Sequence, residues 1–156
     1  MPKKDWLRQT AERQARAASG TRDQRTLREA ALLGGGMGDD AACAHVNLKY
    51  YWPDHQCFSD WQPDELKGFS RFCRTMAQMR WQDIYRSGGG SGHKSGLGYT
   101  PHKNPSVLPE HPDLSQFSPD LTWFELRVSG KARVHGFRVR EAFFLVFLDR
   151  SHAVYR

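Results

Sequence analysis

The sequence predicts an α+β domain: an N-terminal strand and a helical hairpin packed on a mainly antiparallel C-terminal β-sheet. Three observations predict it. Residues 45–51 alternate apolar and polar side chains, as a half-buried strand does. Residues 63–85 place their apolar side chains three and four apart, the spacing of one helix face. Residues 121–148 read as three successive strands joined by tight turns. A strand, two helices and then a run of strands is the order of a sheet covered by helices on one face.

The elements follow in chain order. Residues 1–43 read as a basic extension, flexible or weakly helical. Residues 5–18 have helical composition, but their only bulky apolar side chains are Trp6 and Leu7, too few for a docking face. Gly34, Gly35, Gly36 and Gly38 interrupt any helix, and no Gly-Lys-Ser or Gly-Lys-Thr follows to make a phosphate loop. Acidic residues Asp5, Glu12, Asp23 and Glu29 argue against an organelle transit peptide. A single domain is expected over 44–156. It opens with Val46, Leu48 and Tyr50 alternating against Asn47 and Lys49, and the strand ends at Trp52-Pro53-Asp54.

Ser59 or Asp60 is positioned to cap the next helix, with Pro63, Asp64 and Glu65 in its first turn. Leu66, Phe69, Phe72, Cys73 and Met76 form its apolar face. A shorter helix carries Trp81, Ile84 and Tyr85, the two being joined near residues 78–80. Residues 86–120 make a long loop, with a glycine-rich start, five prolines from His93 onward and a short pairing expected near 97–100. Leu121–Val128 and Lys131–Arg140 are the arms of a hairpin turned by Ser129-Gly130, where glycine supplies a positive φ. Gly136 marks a bulge in the return arm. Residues 142–148, the longest apolar run of the chain at seven residues, are apolar on both faces and so predict a central strand. A turn and a short final strand should close the chain.

Charge narrows the partners. The net charge is +6; residues 121–156 contribute +4 of it and residues 41–120 none. Positive charge gathered on strands points to a polyanion. A membrane helix needs about twenty apolar residues, far beyond the longest run here. The N-terminus has no apolar stretch of signal-peptide length, so a cytoplasmic protein is expected. The three cysteines, Cys43, Cys57 and Cys73, contain no CxxC and give no support to a zinc ribbon or a disulfide framework. His93, His102 and His111 stand nine apart, which is not a ligand spacing, so no metal and no cofactor is expected. Phosphate or RNA contact by Lys94, His102 and Lys103 is the better reading of that loop.

The C-terminal residues carry a resemblance. "WFELRV" followed by "KARVHGFRV", an apolar strand and then "DRSHAVYR" resembles the RelE/ParE/HigB-like superfamily of toxins from bacterial toxin–antitoxin systems. The strand and helical hairpin that precede these segments fit the same pattern, over residues 45–156. The 86–120 loop is longer than the family pattern, and the N-terminal extension is unusual for it. The resemblance implies a RelE-like fold, a cognate antitoxin and, for nuclease members, metal-independent mRNA cleavage, commonly on the ribosome. It also implies that Arg133 stabilises the phosphate and that His152 or Tyr155 serves as acid or base, with His135 in the same hairpin a further candidate. Arg127, Lys131, Arg138, Arg140, Lys94 and Lys103 would hold the nucleic acid.

Each residue has an ordinary alternative. Arg133 could pair with Glu125 across the hairpin, His135 could pack, His152 could cap a turn, and Tyr155 could be an edge aromatic. Asp149 could orient His152 or merely serve a turn. Strand parity puts Lys131, Arg133 and His135 on one face and Arg138 and Arg140 on the other, unless the bulge at Gly136 merges the sets. Two other functions stay open: a toxin that blocks DNA replication by binding gyrase or another replication protein, and a non-toxic nucleic-acid-binding accessory protein.

Overall fold

The computed structural model describes residues 39–88 and 96–154. Most of the expected N-terminal extension, Lys94 and Tyr155 lie outside the described residues. Five strands form one mixed sheet in the order β1-β5-β4-β3-β2: β1 (His45–Asn47), β2 (Thr100–Pro101), β3 (Trp123–Ser129), β4 (Ala132–Val139) and β5 (Ala142–Asp149). β2–β3, β3–β4 and β4–β5 pair antiparallel, whereas β1 lies parallel to β5. Helices α1 (Pro63–Gln78) and α2 (Trp81–Arg86) lie between β1 and β2 in the chain. The α+β class expected from the pattern is thus observed. No helix among the described residues is long and apolar enough to cross a membrane.

β1 is shorter than the alternation suggested. The Asn47 side chain accepts the Lys49 amide and turns the chain, so Tyr50 and Trp52 leave the strand. They pack instead against Leu121, Trp123 and Phe137 on the opposite side of the sheet from the helices. The α1 cap also differs. Residues 58–60 form a separate 3-10 turn, and α1 begins at Pro63 with Glu65 accepting the Gln62 amide at 2.7 Å. Gly68 lets α1 come close to the β3–β4 turn, because a Cβ there would lie 2.6 Å from Ser129 Oγ.

Two apolar clusters flank the sheet. Phe72, Met76, Trp81 and Ile84 from the helices meet Phe124, Leu126, Val134 and Leu145. On the other side residues 101–121, with two short 3-10 turns, form a third layer over Trp123, Phe137 and Phe147, using Leu108, Leu114 and Phe117. β5 is apolar on both faces for this reason: it is covered twice. The bulge next to Gly136 is present, but the extra residue belongs to β5, where His135 faces Phe147 and Gly136 faces Leu145. β4 keeps its parity, so the two sets of basic side chains stay on opposite faces. The final strand does not form within the described residues. After β5 the chain turns at residues 150–152, and His152 adopts a left-handed φ of 58°.

Candidate functional site

One end of the sheet face under the third layer is polar. The strand register sets it out in rows. Glu125, His135 and Phe147 are cross-strand neighbours, and so are Arg127, Arg133 and Asp149. The row beyond is aromatic, with Trp123, Phe137 and Phe144. Glu125 is 2% exposed, and His135 and Asp149 are fully buried. Buried groups of this kind are costly unless hydrogen-bonded, and their bonds are specific.

Asp149 Oδ2 accepts from His135 Nε2 at 3.0 Å. His135 Nδ1 therefore carries a lone pair in the neutral ring and accepts from Nε2–H of His102, 2.9 Å away. The two rings stack with centroids 5.0 Å apart. Burial, aided by His135, pushes His102 down to about 4, so it is neutral at pH 7. Burial alone would raise Asp149. Hydrogen bonds from His135 and from the Ala153 and Val154 amides outweigh it and hold Asp149 below the usual carboxylate range.

Those two amide bonds shape the segment that carries His152. Folded back by its left-handed backbone, His152 places Nε2 3.2 Å from Glu125 Oε1. Its side chain is 33% exposed, against 2% for that of Glu125. Glu125 Oε2 is buried and has no hydrogen-bond partner among the described residues. The result is a histidine at the solvent boundary backed by a buried carboxylate, an arrangement that fixes ring orientation.

The cations divide by face. Arg127 and Arg133 are directly opposite one another on β3 and β4, both half-buried. Arg133 Nη1 donates to the Gly130 and Ala132 carbonyls, and Arg127 Nη2 donates to the Gly96 carbonyl. Glu125 and Asp149 both act electrostatically on Arg133, but in place of the alternative direct pairing with Glu125 its guanidinium makes these backbone bonds. Lys103, Lys131 and Arg140 are exposed, Lys131 beside the β3–β4 turn and Arg140 in the β4–β5 turn with a φ of 53°. Arg138 is on the helix side and is buried. It donates to Asp40 and Tyr85, and its guanidinium lies 4.5 Å over the Trp81 ring. That position makes it a packing and latch residue on the helix side of the sheet.

The structure thus brings together Arg127, Arg133, His135 and His152, and separates Arg138 and Arg140 from them. Sequence reasoning did not single out Glu125 as functional, and gave His102 a surface role instead of a buried one. Among the described residues no group of three or more His, Cys, Asp or Glu side chains is arranged to hold a metal ion. No family model matches this chain, and no curated protein and no solved structure matches it either.

Proposed function

We propose that this protein is a metal-independent endoribonuclease of the RelE-like toxin type, cutting mRNA on the ribosome and held in check by a cognate antitoxin. The observation that carries the reading is the His152–Glu125 pair beside two arginines that face each other across β3 and β4. Like charges directly opposite on a sheet destabilise it, and a bridging phosphate removes that repulsion. A carboxylate-backed histidine at the rim supplies the acid–base function.

The chemistry follows from these groups. His152, with Nε2–H held by Glu125, takes the 2′-hydroxyl proton on Nδ1. The 2′-oxygen attacks the adjacent phosphorus, and Arg133 and Arg127 balance the negative charge that develops on its oxygens. The 5′-oxygen leaves with a proton from Tyr155, the second acid–base residue the resemblance implies. The products are a 2′,3′-cyclic phosphate and a 5′-hydroxyl. His135 and Asp149, being buried, position the 150–154 turn and do not touch the RNA.

Incubating the purified chain with single-stranded RNA, with and without ribosomes and in excess chelator, tests the reading. Cleavage leaving cyclic phosphate ends is expected, reduced about a hundred- to ten-thousandfold by His152→Ala. Arg133→Ala should abolish toxicity on expression while the protein stays folded. Intact RNA under all these conditions would overturn the proposal, above all if induction halted DNA synthesis while leaving transcripts whole.

A further inference from the structure

A cleft of about 730 Å³ opens where residues 52–55 meet residues 109–115. That volume is in the range of small-molecule sites. Trp52 and Leu114 give it apolar walls. The His111 ring lies 5.1 Å from the Trp52 ring and is locked in place: Nε2 donates to the Tyr50 carbonyl, and Nδ1 accepts the Asp113 amide. Two exposed carboxylates, Asp54 and Glu110, stand at the rim. His55 lines the cleft on its inner side. Its ring meets Phe147 edge-on at 5.9 Å, its buried Nε2 has no partner among the described residues, and Asp149 and His135 act on it electrostatically. His55 and His111 thus both meet Phe147, the cross-strand neighbour of His135.

We propose that this cleft seats a guanine base of the RNA substrate. The inference rests on the ribonuclease reading for its place in the reaction, but it makes its own binding prediction. A flat aromatic wall stacks any base. Two carboxylate acceptors at the rim favour a base that presents adjacent donors, and guanine alone offers N1–H and the 2-amino group side by side on its Watson–Crick edge. The same carboxylates repel phosphate, so the sugar–phosphate chain is directed away from the rim, toward Arg127 and Arg133. A base held here fixes which phosphodiester meets His152.

The full chain, labelled with nitrogen-15, is titrated with guanosine, adenosine, cytidine and uridine, and the Trp52 indole N–H, assigned with Trp52→Phe, is followed. Guanosine should shift it at a concentration at least about tenfold lower than the other three. The double variant Asp54→Asn, Glu110→Gln should weaken that response by about tenfold or more, with the rest of the spectrum unchanged because both side chains are exposed. Equal response to all four nucleosides, or a double variant that binds as well as the parent, would overturn the proposal. So would a Trp52 shift on adding arginine amide and none on adding guanosine, which would assign the cleft to a basic peptide. Mapping of cut sites separates the two layers of the argument. Guanosine binding without any RNA cleavage supports the cleft and defeats the nuclease reading. Cleavage without guanine bias, and with no guanosine response, keeps the nuclease and defeats the cleft.

Discussion

Acidification should weaken this domain well above the pH at which ordinary carboxylates titrate, and His102 is the reason. An unfolded chain protonates this histidine near its ordinary value of 6.5; in the fold it resists protonation to about 4. Between those values the unfolded state holds a proton that the native state refuses. The stability His102 supports is therefore whole above pH 6.5 and is lost as the pH falls toward 4. The slope is at most about 1.4 kcal/mol per pH unit, and the loss by pH 4 amounts to about 3 kcal/mol. A domain of this kind has about 5–15 kcal/mol in all, so the effect is a large fraction of it. The groups around His102 do not cancel the trend. His55 is also shifted down, by burial, which outweighs an upward pull from Asp149 and is joined by a weaker downward push from His135, and it adds to the slope. Asp149 is held below its ordinary value, so the stability it contributes persists until the pH drops below about 3.9, outside the window. The assay is urea unfolding in half-unit steps from pH 7.5 to 4, for the parent and His102→Gln. The glutamine amide can still donate to His135 Nδ1 but has no proton to gain. The parent should lose about 3 kcal/mol more than the variant across the window. Parallel curves would show that His102 is not the titrating group and would refute the reasoning.

Three further outcomes are expected. Glu125→Gln removes the carboxylate behind His152 and should lower the cleavage rate about a hundredfold across the pH–rate profile. An unchanged profile would rule out coupling between the two residues. Arg138→Met takes away bonds to Asp40 and Tyr85 and the stacking on Trp81. It should cost about 2–3 kcal/mol in urea unfolding, less than for a fully buried pair because Asp40 is half-exposed and returns to water; a change under 0.5 kcal/mol would contradict the latch role. Gly136→Ala would drive a Cβ into the Phe144 carbonyl oxygen. Loss of about 3 kcal/mol or more, or failure to fold, is expected, and a stable, soluble alanine variant would show that the bulge can relax.

The three C-terminal strands were legible because apolar and polar residues alternate and their turns are short. β1 was legible as a strand, but three residues beside a parallel partner leave no mark of direction. The capping of α1 was misread because Ser59 and Asp60 are good cap residues that a 3-10 turn uses first. The site was half legible. Arg133 and His152 stood out by resemblance, whereas Glu125 was hidden by its own alternation: an acid on the polar face of a hairpin reads as solvent-exposed. The signal against that reading was present in Trp123, Phe137 and Phe147, which sit on that same face and need cover. Phe117 and Leu114 in the proline-rich loop are that cover. Alternation reports which residues share a face; it does not say that the loop just before β3 will bury one of them.

The third layer explains why the polar cluster lies where it does. A fold selected for stability alone would fill a covered sheet face with apolar side chains, since buried charged and polar groups are at best neutral against a well-packed hydrophobic substitute. The aromatic end of the face follows that rule, and the end at Glu125, His135 and Asp149 departs from it. The departure is ordered rather than loose: His102, His135 and Asp149 form one chain of bonds, and that chain ends on the Ala153 and Val154 amides, the two that follow His152. The exception is Glu125, whose second oxygen is buried without a partner among the described residues and whose first holds the one histidine of the cluster that reaches solvent. Part of the unfavourable burial thus lies at the His152–Glu125 pair, and the bonded part holds the adjoining turn in place. That division of labour fits a sheet face kept for chemistry, and on the function proposed above it sets His152 at the solvent boundary with Glu125 buried behind it.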